Sequence, residues 1–129
     1  MAKKILIIDD DAGYTAKVTP LLEKAGYQVK VTASGNEGIK QAREDKPDLV
    51  ILDLLMQSRT EGFAVSRKLA ASPEFKGIPV MLLTGVRKAF HLPFALEPDP
   101  KWLPVTKVLE KPLPAGRLLR AVADAIGAA

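Results

Sequence analysis

The chain has 129 residues, 47% of them hydrophobic and 26% charged, enough for one globular domain with a core of its own. It has no cysteine, which excludes a disulfide framework and thiolate chemistry. The net charge of +4 comes from Lys and Arg scattered along the chain, with no dense basic stretch, so a nucleic-acid partner is not expected.

The N-terminus offers only four apolar residues, Ile5, Leu6, Ile7 and Ile8, before an acid, too few for a signal peptide. No run reaches the length of a membrane span. The expectation is a cytoplasmic protein with no membrane contact.

In chain order, residues 5–8 read as a buried strand that ends in Asp9, Asp10 and Asp11. A helix should follow, with Tyr14, Val18, Leu21, Leu22 and Ala25 at helical spacing and Gly26 as its stop. Pro20 lies inside it and should kink or split it. Residues 28–32 alternate, with Val29 and Val31 on one face, as an edge strand does. Ser34 is placed to cap a second helix whose inward face carries Ile39 and Ala42, and which Gly38 should weaken. Residues 49–52 are an unbroken apolar run, the mark of a strand buried on both faces, and they lead straight into Asp53.

A polar loop over residues 57–61 and Gly62 precede a third helix, about residues 63–71, with Val65 and Leu69 inward. Ser72 and Pro73 end it. Residues 80–83 form a further buried strand with Thr84 and Gly85 at its carboxyl end. Pro93, Pro98, Pro100 and Pro104 forbid a long helix in the stretch that follows. One short helix near residues 87–91 and then loop is expected, carrying the aromatic residues Phe90, Phe94 and Trp102. Residues 107–110 suit the other sheet edge, and the last helix, about residues 114–126, places Ala115, Leu118, Leu119, Val122 and Ile126 on one stripe. Five strands alternating with five helices call for a parallel sheet covered on both faces, with right-handed crossovers, in a single domain spanning residues 1–129.

In such sheets the carboxyl edge is where ligands bind. Four strands bring polar side chains there: Asp9 and Asp10, Asp53, Thr84, and Lys111. Three converging carboxylates repel one another unless a hard cation neutralises them, and oxygen ligands favour Mg²⁺. The Thr84 hydroxyl and the Lys111 ammonium are suited to holding phosphate oxygens. Asp53 is then a candidate nucleophile that takes up a phosphoryl group. Taken singly, each residue also has a structural reading: an Asp at a strand end as a turn or helix cap, Thr84-Gly85 as a turn, Lys111 as a solvated charge. Their order at the ends of strands one, three, four and five is what favours chemistry.

The stretches Lys-Ile-Leu-Ile-Ile-Asp-Asp-Asp (4–11), Pro-Asp-Leu-Val-Ile-Leu-Asp-Leu-Leu-Met (47–56), Ile-Pro-Val-Met-Leu-Leu-Thr-Gly (78–85) and Val-Leu-Glu-Lys-Pro (108–112) together resemble the receiver domains of two-component response regulators, over nearly the whole chain. The resemblance implies a flavodoxin-like (βα)5 three-layer sandwich with sheet order 2-1-3-4-5, acting as a stand-alone receiver. It implies that Asp53 accepts phosphate from a histidine kinase or a histidine phosphotransfer protein, and that the product acts on a downstream protein target. It also implies Mg²⁺ held directly by Asp10 and Asp53, through water by Asp9 and by the backbone carbonyl of Leu55. Thr84 and Lys111 would bind the phosphoryl group, and Lys111-Pro112 would be a cis peptide.

The chain departs from the family pattern in its output region. Gln57 stands where a proline is usual, and Glu61-Gly62 arrives one residue late. Val108 occupies the place of a common switching aromatic, and the interval from Thr84 to Lys111 is lengthened and proline-rich. A second resemblance, to haloacid-dehalogenase-type phosphatases, would make Asp9 the nucleophile and Asp11 the acid/base. It lacks the acidic pair expected after the lysine, since Asp124 is the only acid beyond Lys111. A third reading is a receiver-like binding module that does not use phosphate. Nucleotide-binding folds find no support, as no Gly-rich loop follows a strand.

Overall fold

A computed structural model describes residues 2–54, 61–85 and 96–127. Five parallel strands form one sheet in the order β2-β1-β3-β4-β5: β1 (Lys4–Ile8), β2 (Gln28–Thr32), β3 (Leu49–Leu52), β4 (Val80–Thr84) and β5 (Lys107–Glu110). The described helices are α1 (Ala12–Lys24), α2 (Gly35–Asp45), α3 (Glu61–Ala71) and α4 (Ala115–Ile126), with a single 3-10 turn at Pro73–Phe75. The short helix expected near residues 87–91 lies outside the described residues.

The sequence pattern explains the layers. Every residue of β3 and β4 is buried, because helices cover both faces of the sheet centre. On one face Leu6, Ile8, Val50, Leu52 and Leu82 pack with Ala42 of α2 and with Val65 and Leu69 of α3. On the other, Ile5, Ile7, Leu49, Ile51, Met81 and Leu83 pack with Val18 and Leu22 of α1 and Leu118, Ala121 and Val122 of α4. Each such fully buried aliphatic side chain contributes about 1.5–3 kcal/mol relative to exposure. The result is a three-layer, flavodoxin-like arrangement.

Several local expectations change. Pro20 does not split α1, which runs unbroken from Ala12 to Lys24. Val31 is exposed while Val29 packs against the core, as befits the outermost strand. Ala115 is exposed at the start of α4, so that helix buries Leu118, Ala121 and Val122 instead. Gly38 does more than weaken α2: a Cβ there would lie 2.5 Å from Ile8 Cδ1, so glycine is what lets the helix lie close on β1. After α3 the chain makes the 3-10 turn that buries Phe75, a residue the helix spacing did not single out.

Candidate functional site

The sheet's own hydrogen bonding delivers the polar residues to one edge. Ile8 pairs with Leu52, so Asp9 and Asp53 leave neighbouring strands at the same level. The ladder continues one step past the strands: the Asp53 N–H donates to the Ile8 carbonyl at 3.0 Å, and the Asp9 N–H donates to the Thr32 carbonyl at 3.0 Å. On the other side the Lys111 N–H donates to the Thr84 carbonyl at 3.0 Å. Lys111-Pro112 is a cis peptide, as the resemblance implied.

The Lys111 ammonium bridges the two acids. Its Nζ lies 2.7 Å from Asp9 Oδ2 and 3.1 Å from Asp53 Oδ2. Both aspartates are almost wholly buried, each 4% exposed. Asp9 Oδ1 accepts a further hydrogen bond from the Asp11 N–H at 2.9 Å. One cation therefore serves two buried carboxylates, and the electrostatics follow. Burial would lower the Lys111 pKa, but the hydrogen bond from its ammonium to Asp9 and the charges of Asp53 and Asp9 hold it above the ordinary lysine value. Asp9 is pushed above the ordinary carboxylate value by burial, which its share of Lys111 and its bond from Asp11 do not cancel. Among the described residues, Lys111 is the cation that both buried carboxylates contact.

Thr84 is buried at the end of β4, one backbone hydrogen bond from Lys111. Asp10 is exposed beside Asp9. Among the described residues no three acidic or histidine side chains form a ready-made metal cluster; the two buried acids are joined through Lys111 instead. Leu55 lies outside the described residues. Asp11 accepts from the Tyr14 N–H at 3.0 Å and so caps α1, which commits it to structure and counts against its role as a phosphatase acid/base.

Sequence reasoning treated Tyr14 only as a core position. The structure puts its ring beneath the Lys111 ammonium, 4.2 Å from Nζ to the ring centroid, and burial raises its hydroxyl pKa. The available signal was its place one turn into the helix that starts beside Asp9, Asp10 and Asp11.

A doubly wound parallel sheet whose carboxyl edge gathers two buried aspartates around one lysine defines a flavodoxin-like domain with a charged cleft at the edge where such sheets bind ligands. Residues 5–123 match the model of the response regulator receiver domain, and the chain belongs to that family. It is 40% identical over 81 residues to protein PilH of Pseudomonas aeruginosa, covering 63% of this chain and 66% of PilH. It is 32% identical over 97 residues to the transcriptional regulatory protein PhoP of Bacillus subtilis, covering 75% of this chain and 39% of PhoP. The match thus spans two thirds or less of these relatives' own length. Among solved structures, a putative response regulator from Chloroflexus aurantiacus superposes with a TM-score of 0.80 at 25% identity, covering 98% of this chain and 99% of that one. The receiver domain of the sensor histidine kinase PA1611 from P. aeruginosa, which carries a magnesium ion in its active-site cleft, gives 0.81 at 21% identity, covering 98% and 99%, and so supports the fold.

Proposed function

We propose that Asp53 is the phosphoacceptor of a two-component or phosphorelay pathway. The observation that carries this is the buried Asp53 carboxylate at the end of the central strand, bridged to Asp9 by the Lys111 ammonium. An Asp53 carboxylate oxygen attacks the phosphorus of a phosphohistidine on a histidine kinase or histidine phosphotransfer protein. The P–O bond forms as the P–N bond breaks, and the departing imidazole takes up a proton. Lys111 then turns from the carboxylates to the phosphoryl oxygens, with the Thr84 hydroxyl as a second phosphoryl ligand.

The donor set fits Mg²⁺. It consists of oxygen ligands, with two buried carboxylates brought to one point by Lys111, and a hard cation suits such a set. Asp9, Asp10, Asp53 and the Leu55 carbonyl would hold it. When bound, it neutralises charge on the transferring phosphoryl group. The protein turns over no other substrate; the only reactions assigned to it are phosphorylation and dephosphorylation of its own Asp53. The phosphorylated form acts on a downstream protein in the cytoplasm, without direct contact to nucleic acid or membrane. No described helix is long and apolar enough to cross a membrane.

Acetyl phosphate with Mg²⁺ should add one phosphoryl mass to the wild-type protein and none to Asp53→Asn, read by intact-mass spectrometry. Equal gain in both would remove Asp53 as the acceptor.

A further inference from the structure

The Lys111 ammonium has three contacts in the described structure: Asp9, Asp53 and the face of Tyr14. The two carboxylates are contested. On the acceptor reading, from which this inference starts, Asp53 gives up its free charge when it becomes an acyl phosphate, and Asp9 is a ligand wanted by a cation. The contact with the Tyr14 ring is contested by neither. It lies 4.2 Å from Nζ, within the range of an attractive cation–π contact, in a pocket where the competing solvent is largely excluded.

We propose that Tyr14 is a positioning residue for phosphoryl transfer: its ring face holds the Lys111 ammonium in the cleft while that ammonium exchanges its carboxylate partners for phosphoryl oxygens. A lysine side chain carries four rotatable methylenes, and without a fixed contact its head group leaves the cleft in many directions. The ring itself is held in place by packing. Tyr14 packs against the cluster built on Val18, Leu22 and Leu118, and its hydroxyl is buried without a hydrogen-bond partner among the described residues. The hydroxyl therefore contributes nothing that the structure shows, and the working part of the side chain is the π face.

That distinction sets the test. The rate of Asp53 phosphorylation by acetyl phosphate with Mg²⁺ is compared in wild type, Tyr14→Phe and Tyr14→Leu. Tyr14→Phe keeps the face and should retain the wild-type rate; Tyr14→Leu keeps apolar bulk and should slow it about fivefold, as loss of a cation–π contact of ordinary strength implies. Phenylalanines with ring fluorines at position 14, which keep the shape and change only the π face, supply the readout that a merely structural role would not move, and proton NMR reports the contact itself. The Lys111 ε-methylene protons should be shifted upfield by the ring in wild type and Tyr14→Phe and should return to ordinary positions in Tyr14→Leu. If Tyr14→Leu does not fold, phenylalanines with successive ring fluorines at position 14 keep the shape while draining the ring face, and the rate should fall step by step. A Tyr14→Leu rate equal to wild type, or a flat fluorination series, overturns the proposal. If the wild type takes up no phosphoryl group, it is the acceptor reading that fails, and the methylene shifts alone decide whether Tyr14 holds Lys111.

Discussion

Glu61 Oε1 accepts a hydrogen bond from the Gly35 N–H at 2.7 Å, so the first residue of α3 caps the first turn of α2. Ser34 Oγ takes the Glu37 N–H at 3.2 Å in the same turn, and together they satisfy two of the donors a helix start leaves open. The Glu61 carboxylate also faces the positive end of the α2 dipole. Glu61→Ala should therefore cost about 1–2 kcal/mol. Glu61→Gln keeps the acceptor and should cost less, with the difference between the two variants shrinking in high salt. Urea unfolding with an unchanged slope reads this directly; variants indistinguishable from wild type would mean that the contact is not maintained in solution.

Three glycines should respond very differently to alanine. At Gly62 a Cβ would meet backbone, running into Leu54 Cα and lying 2.7 Å from the Asp53 carbonyl oxygen. At Gly38 it would meet the Ile8 side chain, at 2.5 Å from Cδ1. At Gly116, in the first turn of α4, it meets nothing. Gly62→Ala should cost about 3 kcal/mol and lower Asp53 phosphorylation, because the backbone that shifts is that of Asp53 and Leu54. Gly38→Ala should cost about 1–2 kcal/mol, since a side chain yields more readily than backbone. Gly116→Ala should stabilise by about 0.5 kcal/mol through helix propensity. Thermal melts of the three variants give the ranking, and a Gly62→Ala protein as stable as wild type would refute the close approach.

Those contacts mark where sequence reasoning stops. The central strands were legible because unbroken apolar runs, such as residues 49–52, have few structural solutions, while the sheet order came from the resemblance to receiver domains. Asp9, Asp53, Thr84 and Lys111 were legible because strand ends share one edge. Tyr14 was not, since its helical spacing fits a core position equally well and only the three-dimensional path of Lys111 brings an ammonium to its ring. The packing role of Gly38 was not legible for a related reason: propensity counts a glycine's cost within its helix and cannot see Ile8 on the strand beneath. Pro20 was expected to kink or split α1; the helix is not split, and packing of Val18 and Leu22 holds it together across the proline.

Two charge changes at the cleft should act in opposite directions. Lys111→Met leaves Asp9 and Asp53 buried without their shared cation and should cost the metal-free protein about 3 kcal/mol. Asp10→Asn removes an exposed like charge from the same edge and should stabilise it by about 0.3 kcal/mol. Added Mg²⁺ should raise the melting temperature of Lys111→Met more than that of wild type, because the cation then has no ammonium to displace. Loss of stability in metal-free Asp10→Asn would instead identify Asp10 as a structural cap.

Acid sensitivity has a legible contributor far from the cleft. The Gln41 side-chain N–H donates to Asp45 Oδ2 at 2.6 Å, and Lys30 Nζ lies 3.4 Å from the same oxygen. The Gln41 bond, then Lys30, hold the Asp45 carboxyl below its ordinary value of 3.8. A depressed folded value means the contribution is fully present above the ordinary carboxylate value and is lost as pH falls through the folded one. The stability gap between wild type and Gln41→Ala should thus be constant near neutrality and close below about pH 3.8. Urea midpoints across that window check it; a gap that widened on acidification would reverse the sign of the linkage.

The single tryptophan reports on the face next to β5. Trp102 sits in a turn closed by Asp99 and Leu103, whose backbones pair in both directions at 2.8 and 3.0 Å, with Asp99 Oδ1 accepting the N–H groups of Lys101 and Trp102. Its ring stacks on Phe63 of α3 with centroids 5.6 Å apart, and its carbonyl accepts from Arg67 Nη1 at 3.3 Å. Trp102 remains 44% exposed, so its emission is sensitive to that partner. Phe63→Leu should shift the emission to longer wavelength and cost about 1 kcal/mol. Phe63 also follows Gly62, which packs on the Asp53 and Leu54 backbone, so α3 links the cleft to this aromatic pair. Beryllofluoride with Mg²⁺, a phosphoryl mimic at Asp53, should change Trp102 emission in wild type and change it less in Phe63→Leu, where the stack that transmits the shift is gone. Emission that stays constant at saturating beryllofluoride in wild type would show that α3 does not carry the signal to this face.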